Sequence, residues 1–130
     1  QGRSLFDLAK GADPDRIAFA EFHAAASNTG NFMVRKGHIK YVYYVGLPNQ
    51  LFDLAADPEE LADLIDDAAY KSIREEMEKL LRSIVNPEFV DAQAKADQAT
   101  RIVAHGGREA ILNKGSFGTS PVPGEAAIFK

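Results

Sequence analysis

Asn31-Phe32-Met33-Val34-Arg35-Lys36-Gly37-His38-Ile39-Lys40-Tyr41-Val42-Tyr43-Tyr44-Val45 is the stretch from which the fold can be read. Residues 31–35 and 38–45 are rich in β-branched and aromatic side chains, and Lys36-Gly37 between them is a tight turn. That is the pattern of a β-hairpin. Upstream, Asp13-Pro14-Asp15 signals a turn, and Ile17-Ala18-Phe19-Ala20-Glu21-Phe22-His23 alternates as a strand does. Side chains alternate along a strand, so Ile17, Phe19, Glu21 and His23 take one face, and Ala18, Ala20 and Phe22 the other. Residues 24–30 read as a loop. Downstream, Gly46-Leu47-Pro48-Asn49 breaks the pattern and residues 50–54, Gln-Leu-Phe-Asp-Leu, form a short fourth strand. Short connections between consecutive strands make the sheet antiparallel.

Beyond the sheet the period changes. Asp57, Pro58 and Glu60 have the order of an N-cap, a first helical position and a capping-box acid, so a helix start is expected there. Tyr70, Ile73, Met77, Leu80, Leu81 and Ile84 fall at helical spacing, with Lys71, Arg74, Glu75, Glu78, Lys79 and Arg82 on the other face. A long amphipathic helix over residues 70–85 follows. Asn86-Pro87-Glu88 ends it and starts another, with Phe89, Ala92, Ala96, Ala99 and Val103 as its expected inner positions. Gly106-Gly107 stops that helix, residues 108–113 allow a further turn or two, and residues 117–130 read as an irregular tail. The expected fold is α+β: a four-stranded antiparallel sheet, the long helix packed on one face, and additional C-terminal helices. The expected division is 1–86 for the α+β part and 87–130 for the helical extension and tail.

Composition narrows the function. The 130 residues are 45% hydrophobic and 26% charged, an ordinary globular balance. Fifteen basic against nineteen acidic residues, net charge −4, argues against a protein held by neutralising phosphates, so nucleic acid is not an expected partner. No apolar run approaches the roughly 20 residues of a membrane helix. With no cysteine, thiolate zinc sites and cysteine nucleophiles are excluded. The seven acids Asp53, Asp57, Glu59, Glu60, Asp63, Asp66 and Asp67 occur without a base among them. They lack the spacing of a calcium loop and read as caps and a solvated face. No serine lies in a nucleophile elbow, and Gly106-Gly107-Arg108 lacks a phosphate-loop pattern.

Among His23, His38 and His105, the last two sit beside a hairpin turn and at a helix C-terminus, which are structural positions. His23 differs. It ends a strand, shares a face with Glu21, and precedes a loop holding Ser27, Asn28 and Thr29, the kind of segment that carries function. An edge pair of His23 with Glu21 is the plainer reading of the same residues. A small metal-dependent hydrolase using His23 with the acidic stretch, and an interaction or dimerisation module without catalysis, are both compatible with these residues.

Residues 17–64 carry a resemblance. Ala20-Glu21-Phe22-His23, the hairpin with Arg35-Lys36-Gly37-His38-Ile39-Lys40-Tyr41, and Gln50-Leu51-Phe52-Asp53-Leu54 followed by Asp57-Pro58, Glu60 and Asp63-Leu64 are similar to the C-terminal subdomain of a bacterial sulfatase, within the alkaline phosphatase superfamily. His38-Ile39 stands where that family more often has an aromatic residue. Ala94-Lys95-Ala96-Asp97-Gln98 and Gly106-Gly107-Arg108-Glu109-Ala110 look like tails of sulfatase-like hydrolases. The resemblance implies a parent enzyme that hydrolyses sulfate esters with a formylglycine residue and a calcium-type divalent cation, both in an N-terminal α/β catalytic domain. No Cys or Ser in this chain lies in a Cys/Ser-x-Pro-x-Arg motif, so this segment is expected to be inactive alone. Gln1 in place of an initiator methionine fits a piece of a longer protein. On this reading the segment's partner is the parent catalytic domain, and its uncovered apolar surface favours self-association. His23 and, more weakly, Asn28 would line the substrate pocket, with Glu21 orienting the imidazole.

Overall fold

The computed structural model describes residues 4–11, 13, 16–23 and 27–115. The expected turn at Pro14-Asp15, residues 24–26 of the loop and the 117–130 tail lie outside the described residues. A short helix, α1 (Leu5–Leu8), precedes four strands, β1 (Ile17–Phe22), β2 (Asn31–Lys36), β3 (Ile39–Tyr44) and β4 (Gln50–Asp53). They form one sheet in the order β1-β2-β3-β4, every pair antiparallel. The architecture is the expected α+β one. Gly37 and His38 close the hairpin, and Gly37 has φ +59°, the left-handed conformation that a two-residue hairpin turn demands and glycine accepts without steric cost.

Register decides which face is buried. Val34 stands opposite Tyr41 and Tyr41 opposite Leu51, so these three line up across the sheet on one face, with Phe32 beside them. All four are fully buried. Helix α2 (Lys71–Ile84) covers them with Met77 and Leu81, also buried, while Tyr70, Ile73 and Leu80 pack at the margin. The apolar period read in the sequence thus supplies the core. The buried Tyr41 hydroxyl needs a partner and accepts a hydrogen bond from Asn49 Nδ2 at 3.0 Å. Burial pushes the Tyr41 phenol well above its usual range, so it stays protonated. On the opposite face Val42 and Phe52 are nearly covered, and Lys40 lies 5.8 Å from the Phe52 ring centre while pairing with Glu60 at 2.6 Å.

Two sequence expectations are corrected. Residues 57–67 form no helix: Glu60 adopts φ +59°, outside the helical region, and the Asp57 carboxylate accepts from Ala62 N–H at 2.8 Å, beyond the first turn that a cap would serve. Here carboxylates satisfy the backbone of an irregular segment. Asp63 accepts from Leu51 and Ile65 N–H, both at 3.0 Å, which holds the segment along β4. Asp67 accepts from Ala69 N–H at 2.8 Å and caps a 3-10 turn, Ala68–Tyr70, that leads into α2.

The second correction concerns α3 (Pro87–Ala104). Its expected inner positions Phe89, Ala92, Ala96, Ala99 and Val103 are exposed, and its buried residues are Pro87 and Asp91. The chain divides into two compact units, Gln1–Asp91 and Ala92–Lys130. The sheet, α2 and the start of α3 belong to the first. In the second, α3 ends as expected at Gly106-Gly107, whose N–H groups donate to the Val103 and Ile102 carbonyls at 3.0 and 2.9 Å, before α4 (Arg108–Asn113). No helix among the described residues is long and apolar enough to cross a membrane.

At the corner from α2 to α3, Arg82 donates to both oxygens of Glu88 at 3.1 Å, to Glu78 at 3.0 Å and to the Tyr43 hydroxyl at 3.2 Å. Its guanidinium also lies 5.0 Å from the Tyr43 ring centre. The Tyr43 hydroxyl donates to Glu88 at 2.6 Å. The Arg82 fork and the Tyr43 hydroxyl hold the Glu88 carboxyl down to about 2, from an ordinary 4.5. Two measurements follow. Leu81→Ala should lower unfolding free energy by about 2–5 kcal/mol in urea titrations, whereas Leu61→Ala, at an 81% exposed residue, should change it by less than about 0.5 kcal/mol. A carboxyl depressed on folding adds stability above its unfolded value, and that stability is lost as pH falls from 4.5 towards 2. Glu88→Gln should therefore remove part of the acid sensitivity in that window, by at most about 1 kcal/mol because the carboxylate is 47% exposed.

Candidate functional site

The His23 candidate is built from the end of β1, the 27–30 turn and the start of α3. β1 is an outer strand, paired only with β2 in its sheet, and Phe19 and Glu21 stand opposite Val34 and Phe32. His23 follows on that same face, and its ring meets Phe32 edge-to-face with centroids 5.2 Å apart and planes at 72°. The residue is half-buried, and both ring nitrogens are enclosed.

The ring also lies against backbone. A Cβ placed on Gly30 would sit 2.8 Å from both His23 Cε1 and Nδ1, and 3.2 Å from Phe32 Cε2. Those separations are below ordinary carbon contact, so the space beside Gly30 belongs to the imidazole.

Three polar contacts hold this turn. Ser27 Oγ donates to the Thr29 carbonyl, Thr29 Oγ1 donates to the Val45 carbonyl at 2.7 Å, and Val45 N–H donates to the Gly30 carbonyl at 3.2 Å. From the other side the Asp91 carboxylate, 6% exposed, accepts from Gly30 N–H at 2.7 Å and lies 3.5 Å from Thr29 Oγ1. Burying a carboxylate is costly unless it is hydrogen-bonded, and charge-assisted bonds to backbone N–H are the strong kind.

Of the sequence candidates, the structure places His23 against Gly30 and Phe32, Glu21 exposed opposite Phe32, and Asn28 exposed in the turn. Asp91 was missed. Its signal was available: Pro87, Val90, Asp91 and Ala94 are spaced as one helix face, and these are the α3 residues through position 94 that are not exposed.

Other polar constellations have structural employment. The carboxylates of Asp53, Asp57, Asp63 and Asp67 accept from backbone N–H groups. His38 lies 4.0 Å from Asp53 at the hairpin end. Among the described residues, no three His, Cys, Asp or Glu side chains are grouped as a metal ion would need.

No protein-family profile matches the chain. Individual proteins do. It is 40% identical over 70 residues to arylsulfatase K of Gallus gallus, covering 52% of this chain and 13% of that protein. Arylsulfatase K of Mus musculus is 34% identical over 103 residues, 70% of this chain and 18% of that one. Choline-sulfatase of Rhizobium meliloti (strain 1021) is 33% identical over 119 residues, 86% of this chain and 22% of that one. In three dimensions the chain is similar to a putative sulfatase from Bacteroides thetaiotaomicron VPI-5482, with TM-score 0.51, 28% identity, and 70% of this chain and 18% of that one covered. A 2-O GAG sulfatase gives the same score and identity over 70% and 19% of the two chains. The similarity extends to vertebrate and bacterial proteins alike, and the chain spans less than a quarter of each. Along most of its length the chain is homologous to one segment of these longer sulfatases.

Proposed function

We propose that this chain is the C-terminal part of a sulfatase-like enzyme that hydrolyses sulfate esters, completing the fold of its catalytic domain and contributing to the substrate pocket. The observation that carries this reading is the similarity to choline-sulfatase along most of the chain. The uncovered side chains of β1 support it. Ile17 and Phe19 on one face of this outer strand are 45% and 37% exposed, and Phe22 on the other is 47% exposed, so both faces offer apolar side chains for packing against the rest of such an enzyme. Without that cover the same surface favours self-association of the chain.

The nucleophile and the metal belong elsewhere on this reading. A formylglycine made from Cys or Ser and a divalent cation are the chemistry that the relatives imply. The residues of this chain do not fit either group: it has no cysteine, and its described acids are not grouped as cation ligands. Its own contribution is to binding. His23, at the strand end beside the 27–30 turn, would form part of the pocket wall with its ring nitrogens enclosed, Asn28 would offer an amide N–H from the exposed turn to a sulfate oxygen or to the leaving-group portion of the ester, and Glu21 would orient the imidazole.

Two outcomes are expected. In the intact enzyme carrying this segment, His23→Ala should lower kcat/KM unequally across esters with different leaving groups while the melting temperature holds. An equal loss for every ester with a lower melting temperature would instead make His23 a packing residue of the domain seam. The 130-residue chain alone should not turn over aryl sulfates or phosphate monoesters; metal-dependent turnover by pure chain, lost in His23→Ala, would overturn the reading.

A further inference from the structure

We infer that Asp91 is a positioning residue for the His23 imidazole and acts on it through the backbone of Gly30. The consequence for catalysis rests on the reading of His23 as a pocket residue; the positioning itself rests on geometry alone.

Gly30 is glycine for a reason other than its backbone conformation. Its φ lies outside the left-handed region that Gly37, Gly46, Gly106 and Gly107 occupy, so an L side chain could adopt its conformation. What excludes a side chain is the ring, since the first carbon of one would fall 2.8 Å from two imidazole atoms. Gly30 forms one wall of the imidazole's seat, and the Phe32 ring edge forms another.

A wall made of backbone is only as fixed as its own hydrogen bonds. Gly30 is held through both of its polar groups: its carbonyl accepts from Val45 N–H, which ties it to the end of β3, and its N–H donates to Asp91. The first bond extends the β2–β3 ladder. The second has no backbone counterpart and comes from a helix 61 positions away in sequence. Asp91 also lies within reach of Thr29 Oγ1, so two consecutive residues of the wall face one carboxylate. Buried at 6% exposure, that carboxylate has little freedom to reorient, and the geometry it imposes on Gly30 passes directly to the ring that lies against it.

The test has one arm free of catalysis. The chain has three histidines, so their ring Cε1–Hε1 resonances can be told apart by NMR. Gly30→Ala should displace the His23 resonance and leave those of His38 and His105 in place. Asp91→Ala should displace it too, although the altered side chain bonds Gly30 rather than the ring, and Asp91→Asn, which keeps an acceptor oxygen, should restore much of the original position. A purely structural Asp91 would lower the melting temperature without moving the His23 signal. If Asp91→Ala fails to fold, Asp91→Glu, which keeps the charge but displaces the carboxylate from Gly30 N–H by one methylene, takes its place, and an unmoved His23 resonance in whichever of the two folds overturns the inference. In the intact enzyme, Gly30→Ala should reduce kcat by up to about 10²-fold with a smaller change in KM, and should add little in a His23→Ala background. If the Asp91 variant moves the resonance but His23→Ala leaves turnover unchanged, the positioning stands and the pocket reading alone falls.

Discussion

A four-stranded sheet has two faces, and among the described residues one helix, α2, carries a continuous apolar stripe to lay across one of them. The contact of Met77 and Leu81 with Phe32, Val34, Tyr41 and Leu51 is therefore the constraint from which the rest follows. It fixes which strand face is interior, and it sets the line along which α2 must run. Where α2 ends, the chain has to turn back towards the sheet, and the Arg82 fork on Glu88 with the Tyr43 hydroxyl fastens that corner to β3. The turn brings the start of α3 over the 29–30 backbone, where Asp91 finds the N–H that its charge requires. Packing thus determines where the polar groups meet, and the polar groups then determine how closely the loop is held.

The acidic character of the chain takes a different meaning in this light. Seven acids in residues 53–67 look like a binding surface or a helix terminus when read as charge alone. In the fold they do the work that regular secondary structure does elsewhere. Asp53, Asp57, Asp63 and Asp67 each accept from backbone N–H groups that no helix or strand would have satisfied. Each such bond contributes about 0.5–1.5 kcal/mol net, so side-chain acceptors at short intervals hold an irregular segment along β4.

Much of the architecture was legible because local signals agreed with one another. The hairpin, the outer strand and α2 each combined a clear period with a matching turn or breaker, and their observed bounds lie within a residue of the expected ones. Two elements escaped for identifiable reasons. Asp57-Pro58 with Glu60 has the composition of a helix start, but Glu60 takes a left-handed conformation and pairs with Lys40, a tertiary contact that local chemistry does not announce. In α3 the alanines spaced as a core face are exposed, while the covered face carries an acid, because what it covers is backbone with unsatisfied N–H rather than apolar side chains. His23 could be singled out from its place at a strand end. Its fit against Gly30 could not, since that depends on where residues 29–30 lie relative to the end of β1, and on a partner in α3.

The strand order has a kinetic side. Each strand pairs only with its neighbours in sequence, and the longest connection between paired strands is residues 23–30. Chain-closure entropy is correspondingly small for every step of sheet formation. The bond from Gly30 to Asp91, like the packing of α2 on the sheet, is of another kind, closing a separation of 61 residues. The arrangement around His23 consequently depends on the contact with a much larger entropic barrier than the hairpin's, and a nascent sheet can have its strands in register before the imidazole has its seat.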